Sequence, residues 1–298
     1  MDKFIDEFLD YLRFERYRSA CTVEGYGNDL KAFKEYVEAL DAGLSWETID
    51  SDIIRGWMES MMDKGNTATS INRRLSSLRT FYRFALSTKR VTRDPAYQVK
   101  GPKKAKPLPQ YLREEEMDRL LEADFWSDIY KDVRARTIIL TFYSTGMRLS
   151  ELVGLNDSSI DFTSNQLKVL GKRNKERIIP FGPELKDALD AYRKRRDEEV
   201  GFTPEALFVT DKGARMTPKQ VRNIVRENLA KVSTLKKKSP HVLRHTFATA
   251  MLNNDSGLES IQKLLGHESI ATTEIYTHTT FEQLRQAYAK AHPRGEEE

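Results

Sequence analysis

Residues able to do chemistry are unevenly placed along this chain. Four of the five histidines, His241, His245, His267 and His278, fall within residues 241–278, with Arg244 and Tyr276 among them, and none occurs earlier. Such a set suits either a metal ion or a negatively charged group. His241 and His245 have the four-residue spacing of a zinc-binding pair, but the residues between them are Val242, Leu243 and Arg244. No glutamate stands there to act as a base, an arginine is a poor neighbour for a dication, and Cys21 is the only cysteine. An anion fits better. Ser239-Pro240 reads as an N-cap followed by proline at the first helical position, so His241 opens a helix and Arg244 lies one turn along the same face. A helix start already offers free N–H groups and partial positive charge. With a His and an Arg added it becomes an oxyanion site, and phosphate is the natural occupant. His245 reads as a structural histidine held by a hydrogen bond. Tyr276, one of twelve tyrosines, carries no role by itself.

These groups need elements to hold them. Ile261, Leu264 and Leu265 form one helical face, and Gly266 is placed as a C-cap, so His267 projects from a tight turn. Ser269 is placed to cap a further short helix carrying Tyr276. Upstream, a helix around Glu115 to Ala123 precedes "VRARTIILTFYSTGMRLSELVGL", which reads as two helices broken at Thr145-Gly146. "QLKVLGKRNKERIIPF" alternates and turns as a β-hairpin, with Lys172 in or beside the turn and Lys175 close by. A helix from about Pro183 and a short strand at Leu207–Val209 follow. Thr217-Pro218 then opens another helix, with Val221, Ile224 and Val225 on one face and Lys219, Arg222 and Arg226 on the other. Leu284, Tyr288 and Ala291 give a terminal helix from about Phe281 an apolar stripe.

Residues 1 to about 90 read as helices, within a first domain of residues 1–99. Phe4, Phe8, Tyr11 and Leu12 recur at helical spacing, as do Tyr26, Leu30, Phe33 and Val37, then Ile53, Trp57, Met58 and Met61, then Ile71, Leu75, Leu78, Tyr82 and Ala85. Arg73, Arg74, Arg79 and Arg83 fall off the fourth stripe and are expected to face outward, on a basic surface. Residues 100–110 read as a linker, in which Pro102, Pro107 and Pro109 forbid regular helix and Lys100, Lys103, Lys104 and Lys106 add positive charge. A second domain then runs over 111–298.

The 298 residues bound the answer to one large domain or two ordinary ones. A net charge of +4 and a pI of about 8.9 are only mildly basic, so the placement of charge matters more than its total. No run approaches the ~20 apolar residues of a bilayer span. The charged opening "MDKFIDEFLDYLRFER" lacks the apolar core of an export signal. With a single cysteine, which excludes an internal disulfide and fits a reducing compartment, this points to the cytoplasm.

Taken together, "TGMRLSEL", the hairpin lysine, "HVLRHTFAT" and "LLGHESIATTEIYTH", in this order, resemble the catalytic domain of the tyrosine recombinases. "RSACTVEGYGNDLKAF", "TSINRRLSSLRTFYRFA" and the linker resemble the core-binding domain of the Xer-type members, so the likeness covers essentially the whole chain. It implies a mainly α fold with a small β-sheet. An N-terminal SAM-like helical bundle and an α+β catalytic domain would then form a two-domain clamp on duplex DNA. It implies Arg148 and Arg244 as the catalytic arginines, Lys172 as the hairpin lysine, His241 and His267 as the histidines and Tyr276 as the nucleophile. Glu151 is implied as a supporting acidic residue.

The chemistry agrees. A tyrosine with a pKa near 10 needs about 4 kcal/mol to ionise at neutral pH. A cationic cradle lowers that, and His241 can take the phenol proton. Two arginines can grip the non-bridging oxygens with His267 donating a further hydrogen bond, and Lys172 can protonate the leaving 5′-oxygen. The 3′-phosphotyrosyl ester conserves the bond energy of the cut strand, so no cofactor and no nucleotide is called for. There is no GxxxxGK[ST] loop.

Candidate DNA contacts are Arg73, Arg74, Arg79, Arg83, Lys103, Lys104, Lys219, Arg222 and Arg226, mainly to phosphates. The resemblance implies a synapse of four protomers, alike or of two kinds, with the terminal helix docked on a neighbour, and admits a septal DNA translocase as an activator. Resolution of chromosome or plasmid multimers is the preferred role. The alternative within the class is an integrase or invertase of a mobile element, against which stands the absence of an arm-binding module before residue 1. A DNA-binding regulator without catalysis would share the basic faces but has no use for the phosphate constellation. A metallohydrolase is the weakest reading.

Overall fold

The computed structural model describes residues 1–104, 110–171, 176–254, 258–266 and 281–295. The chain divides into two compact units, Met1–Pro107 and Leu108–Glu298. The first contains helices α1 (Asp2–Asp10), α2 (Ala20–Leu40), α3 (Ser51–Asp63) and α4 (Ala68–Ser87). Each of the last three starts where a polar side chain accepts a free N–H. Ser19 takes Thr22 N at 3.3 Å, Asp50 takes Asp52 N at 2.9 Å and Ile53 N at 3.0 Å, and Thr67 takes Ser70 N at 3.3 Å. The apolar stripes read from sequence meet in one core of Phe8, Leu30, Phe33, Trp57, Leu78 and Phe81. Phe81 is the hub: its ring lies 4.4 Å from Trp46 and edge-on to Phe4 and Phe8. The first stripe does not continue as a plain α-helix, because Tyr11–Glu15 forms a turn of π-helix.

The second unit is built around α6 (Tyr130–Thr145), a helix buried over nearly its whole circumference. Its threonines survive there by turning inward on their own backbone. Thr137, Thr141 and Thr145 donate to the carbonyls of Val133, Thr137 and Thr141 at 2.8, 2.7 and 2.5 Å. Around it lie α5 (Glu114–Leu121), α7 (Leu149–Val153), α8 (Pro183–Val200), α9 (Pro218–Val232), α10 (Pro240–Asn253), α11 (Leu258–Leu265) and α12 (Phe281–Ala291). The sheet has three antiparallel strands in the order β1 (Ile160–Asp161), β2 (Gln166–Leu170) and β3 (Glu176–Pro180). The expected hairpin is β2–β3; β1 was not expected, being only two residues long.

The strand expected at Leu207–Val209 does not form. These residues are buried, but only isolated bridges at Ala206 and Val209 pair their backbone. Side chains do the rest. Tyr192 and Arg196 donate to the Leu207 carbonyl, both at 3.1 Å, and Tyr130 and Arg134 to that of Val209, at 3.2 and 2.9 Å. Donors from flanking helices therefore satisfy carbonyls that a neighbouring strand would otherwise satisfy.

The expected N-cap at Thr217 is present, with Thr217 and Gln220 in a reciprocal capping box. Ser239 occupies the N-cap of α10, but its side chain makes no capping bond. In α12, Tyr288 and Ala291 are buried against their own unit, while the side chain of Leu284 lies outside the described residues. His292, just beyond, is buried among the rings of Tyr143, Phe247 and Tyr288. Among the described residues no helix is long and apolar enough to cross a membrane.

Candidate active site

Two glycine-ended helices create the site. Gly146 closes α6 with φ +58°, turning the chain so that Arg148 becomes the N-cap residue of α7. Gly266 follows α11 with φ +63°. Both turns are crowded as well as left-handed: a Cβ on Gly146 would lie 2.4 Å from the Phe247 ring and 2.8 Å from Leu265.

Arg148 and Arg244, 96 positions apart in sequence, converge on the end of α11. Arg148 Nη2 donates to the Gly266 carbonyl at 2.7 Å. Arg244, only 7% exposed, donates to the carbonyls of Leu265 at 2.8 Å and Gly146 at 2.6 Å. Arg148 remains more open, with 37% of its side chain exposed. Burial, reinforced by the nearby charge of Arg148, lowers the Arg244 pKa to about 10, which still leaves it cationic at neutral pH. His241 is exposed in the first turn of α10. His245 is exposed too, with no hydrogen-bond partner among the described residues, so it is not the satisfied structural histidine the sequence suggested. Partial desolvation of its ring, with the charges of His241 and Arg244, lowers its pKa.

Glu151 organises the arginines. It is 4% exposed, yet its pKa lies below the ordinary value. Burial pushes that pKa up. The hydrogen bonds of Arg177, of the Arg148 N–H and of the Arg148 guanidinium outweigh it. Sequence reading gave Glu151 a supporting part but missed Arg177. A signal was available: in the β2–β3 register Arg177 faces Val169 and shares the inward face with Ile179, an unexpected place for a charge.

Lys172, Lys175, His267, Ser269 and Tyr276 lie outside the described residues, as does the end of the linker with Lys106, Pro107 and Pro109. No group of metal-ligating residues occurs among the described ones.

The basic residues separate into two kinds. Lys103, Lys104, Lys219, Arg222 and Arg226 are exposed, and so is Arg83. Arg74 and Arg79 do not face outward as expected. Arg79 donates to the carbonyls of Ala96 at 3.2 Å and Val99 at 2.5 Å, tying the chain beyond α4 to that helix. Arg74 is half-buried against Met61 and lies 3.8 Å from Asp29. Arg73 grips the buried Asp29 carboxylate with both terminal nitrogens, at 2.5 and 2.7 Å, while half of its own side chain stays in solvent. One buried carboxylate on α2 thus engages two arginines of α4, turning Arg74 inward and leaving Arg73 half in solvent.

The model of the phage integrase family matches residues 110–283, and that of the phage integrase N-terminal SAM-like domain matches residues 5–89. The tyrosine recombinase XerC of Staphylococcus saprophyticus is 37% identical, with both chains covered in full. XerD of Oceanobacillus iheyensis is 35% identical over 98% of each chain. The fold is that of the Tn1549 transposon integrase solved with circular intermediate DNA, at a TM-score of 0.69 and 20% identity, over 95% of this chain and 98% of that one. With two arginines and a buried glutamate joined at one turn, and relatives matching along the whole length, the chain belongs to the phage integrase family and is a site-specific tyrosine recombinase of Xer type.

Proposed function

We propose that Tyr276 is the nucleophile and that Arg148, Lys172, His241, Arg244 and His267 serve it. The phenol oxygen attacks phosphorus, its proton passing to His241, and the bond from phosphorus to the 5′-oxygen breaks as Lys172 protonates that oxygen. Arg148 and Arg244 hold the non-bridging oxygens, with His267 as a further donor. The products are a 3′-phosphotyrosyl bond and a free 5′-hydroxyl, and rejoining reverses the steps. The observation carrying this reading is the convergence of Arg148 and Arg244 on the carbonyls of Leu265 and Gly266, directly before His267 in sequence.

Both units contact the duplex in this reading, through Arg83, Lys103 and Lys104 of the first and Lys219, Arg222 and Arg226 of the second, with Arg73 sharing its charge between Asp29 and DNA. Arg74 and Arg79 drop out of the contact set. Recombination of two duplexes on both strands calls for four protomers, in which α12 would leave its own body for a neighbour. The XerC and XerD names of the relatives support a Xer-type role. In this reading that role is the resolution of chromosome or plasmid multimers in the cytoplasm, with a septal DNA translocase as activator.

The test is covalent trapping. Incubated with nicked genomic fragments in chelator and without nucleotide, the protein should form a denaturation-resistant adduct whose DNA ends identify the site. Tyr276→Phe should bind the same DNA and form none. An adduct that persists in Tyr276→Phe would sink the assignment.

A further inference from the structure

Arg177 uses every nitrogen of its guanidinium inside the protein. Nη1 and Nη2 donate to the two oxygens of Glu151 at 2.7 and 2.8 Å, and Nε donates to the Leu264 carbonyl at 3.1 Å. Its side chain is 15% exposed. With three of its N–H groups spent on these bonds it is turned to the carboxylate and the turn rather than to solvent, and its fixed fork suits the holding of one carboxylate in one orientation. The same two oxygens accept from Arg148: Oε2 from the backbone N–H at 2.7 Å and Oε1 from Nη1 at 2.9 Å. The other terminal nitrogen of Arg148 is bonded to Gly266. Gly266 packs against the Arg177 guanidinium so closely that a Cβ there would meet Nη1 at 3.2 Å and Cζ at 3.3 Å.

One side chain from β3 thus fixes the carboxylate that aims Arg148, and also the last turn of α11, whose carbonyls receive Arg148 and Arg244. Remove it, and a carboxylate with almost no access to water keeps only Arg148 as a cationic partner. Desolvation then favours its neutral or rotated form, and Arg148 loses its fixed aim. Two guanidinium groups bonded to this carboxylate, with that of Arg244 held at the adjoining turn, leave a surplus of two positive charges at the place where a phosphodiester would arrive.

We propose that Arg177 is a positioning residue for the cleavage reaction: through Glu151 it presets Arg148 against the charged oxygens of the scissile phosphate. The inference rests on the reading of Arg148 as a phosphate-gripping residue. Its effect should scale with the charge on the phosphate and not with the basicity of the leaving oxygen.

The experiment uses the full-length protein and suicide duplexes carrying the site recovered by trapping. The scissile group is a phosphodiester, an uncharged methylphosphonate or a 5′-bridging phosphorothiolate. Arg177→Met should bind DNA within a few-fold of wild type yet form adduct roughly 100-fold more slowly on the phosphodiester, the scale of loss for a misplaced catalytic group. On the methylphosphonate the deficit should shrink to a few-fold, because no oxyanion needs the aimed arginine. Arg177→Lys, which keeps the charge but not the fork, should fall between and guards against a folding failure of the methionine variant. Addition of Glu151→Gln to Arg177→Met should cost little more, since both act on one path.

Equal deficits on all three substrates would reduce Arg177 to a structural residue. Rescue by the phosphorothiolate alone would mean that it acts on leaving-group protonation. Either result overturns the proposal. Arg148→Ala on the same substrates separates the two levels. If the methylphosphonate fails to rescue Arg148→Ala, the phosphate-gripping reading itself fails. If it rescues Arg148→Ala but not Arg177→Met, only this inference falls.

Discussion

At Glu151 two guanidinium groups and a backbone N–H surround a carboxylate that water scarcely reaches. Ion pairs at a surface contribute little, but loss of one member of a buried set leaves the others uncompensated. Glu151→Ala should therefore destabilise the protein by roughly 3 kcal/mol, at the low end for buried pairs because Arg148 can turn to solvent. Differential calorimetry would show it. The pH dependence has a definite sign. A folded pKa below the unfolded value, near 4.5, gives stability that is present above pH 4.5 and is lost as the pH falls through the folded value. Wild type should lose Tm more steeply than Glu151→Ala below pH 4.5, and parallel curves would mean that Glu151 is not the group responsible.

Among the elements, α12 is held by the groups that follow it. His292 Nε2 meets the Tyr143 carbonyl at 3.1 Å and Nδ1 accepts from Arg294 N at 3.1 Å, a pattern only the neutral ring with its proton on Nε2 can make. Burial pushes its pKa down to about 4 against the favourable hydrogen bond to Tyr143. Between pH 6.5 and about 4 the unfolded chain binds a proton that the folded chain refuses, so stability here falls as the pH drops. The full effect is on the order of 3 kcal/mol. Hydrogen exchange, corrected for its intrinsic rate, should show residues 286–292 losing protection over that window before α6 does, and His292→Gln should flatten the trend. The α6–α7 turn makes a separate prediction. Gly146→Ala forces both a left-handed backbone and a clash with Phe247, and should cost about 2–3 kcal/mol while displacing the carbonyl that Arg244 holds. Chemical denaturation would measure the first effect and adduct rate the second.

For the whole molecule the question is which cations answer to DNA. Each phosphate contact adds close to one unit to the slope of log affinity against log salt. Removal of Lys219, Arg222 and Arg226 together should lower that slope by about 3. Arg79→Met should leave it unchanged and instead reduce stability by about 1–3 kcal/mol, since two carbonyls lose their donor. A slope change in Arg79→Met would return Arg79 to the DNA-facing set.

What the sequence determined by itself was whatever is periodic or local. The helical stripes, the cap at Thr217, the glycine stops at 146 and 266 and the β2–β3 hairpin depend on residues within a few positions of one another, and they stand where the pattern put them. The ordered motifs marked the candidate residues proposed above for a similar reason, as each motif is short. Tertiary structure decided the rest. Arg79 looks outward on a helical wheel, but carbonyls 17 and 20 residues away claim it. The segment at 207–209 has the composition of a strand, yet side chains from α6 and α8 fill the places of a partner. Arg177 reads as one more charge in a basic hairpin until its register turns it inward to Glu151. Hydrogen bonds between distant residues are set by packing, and no local pattern encodes which donor a buried acceptor will meet.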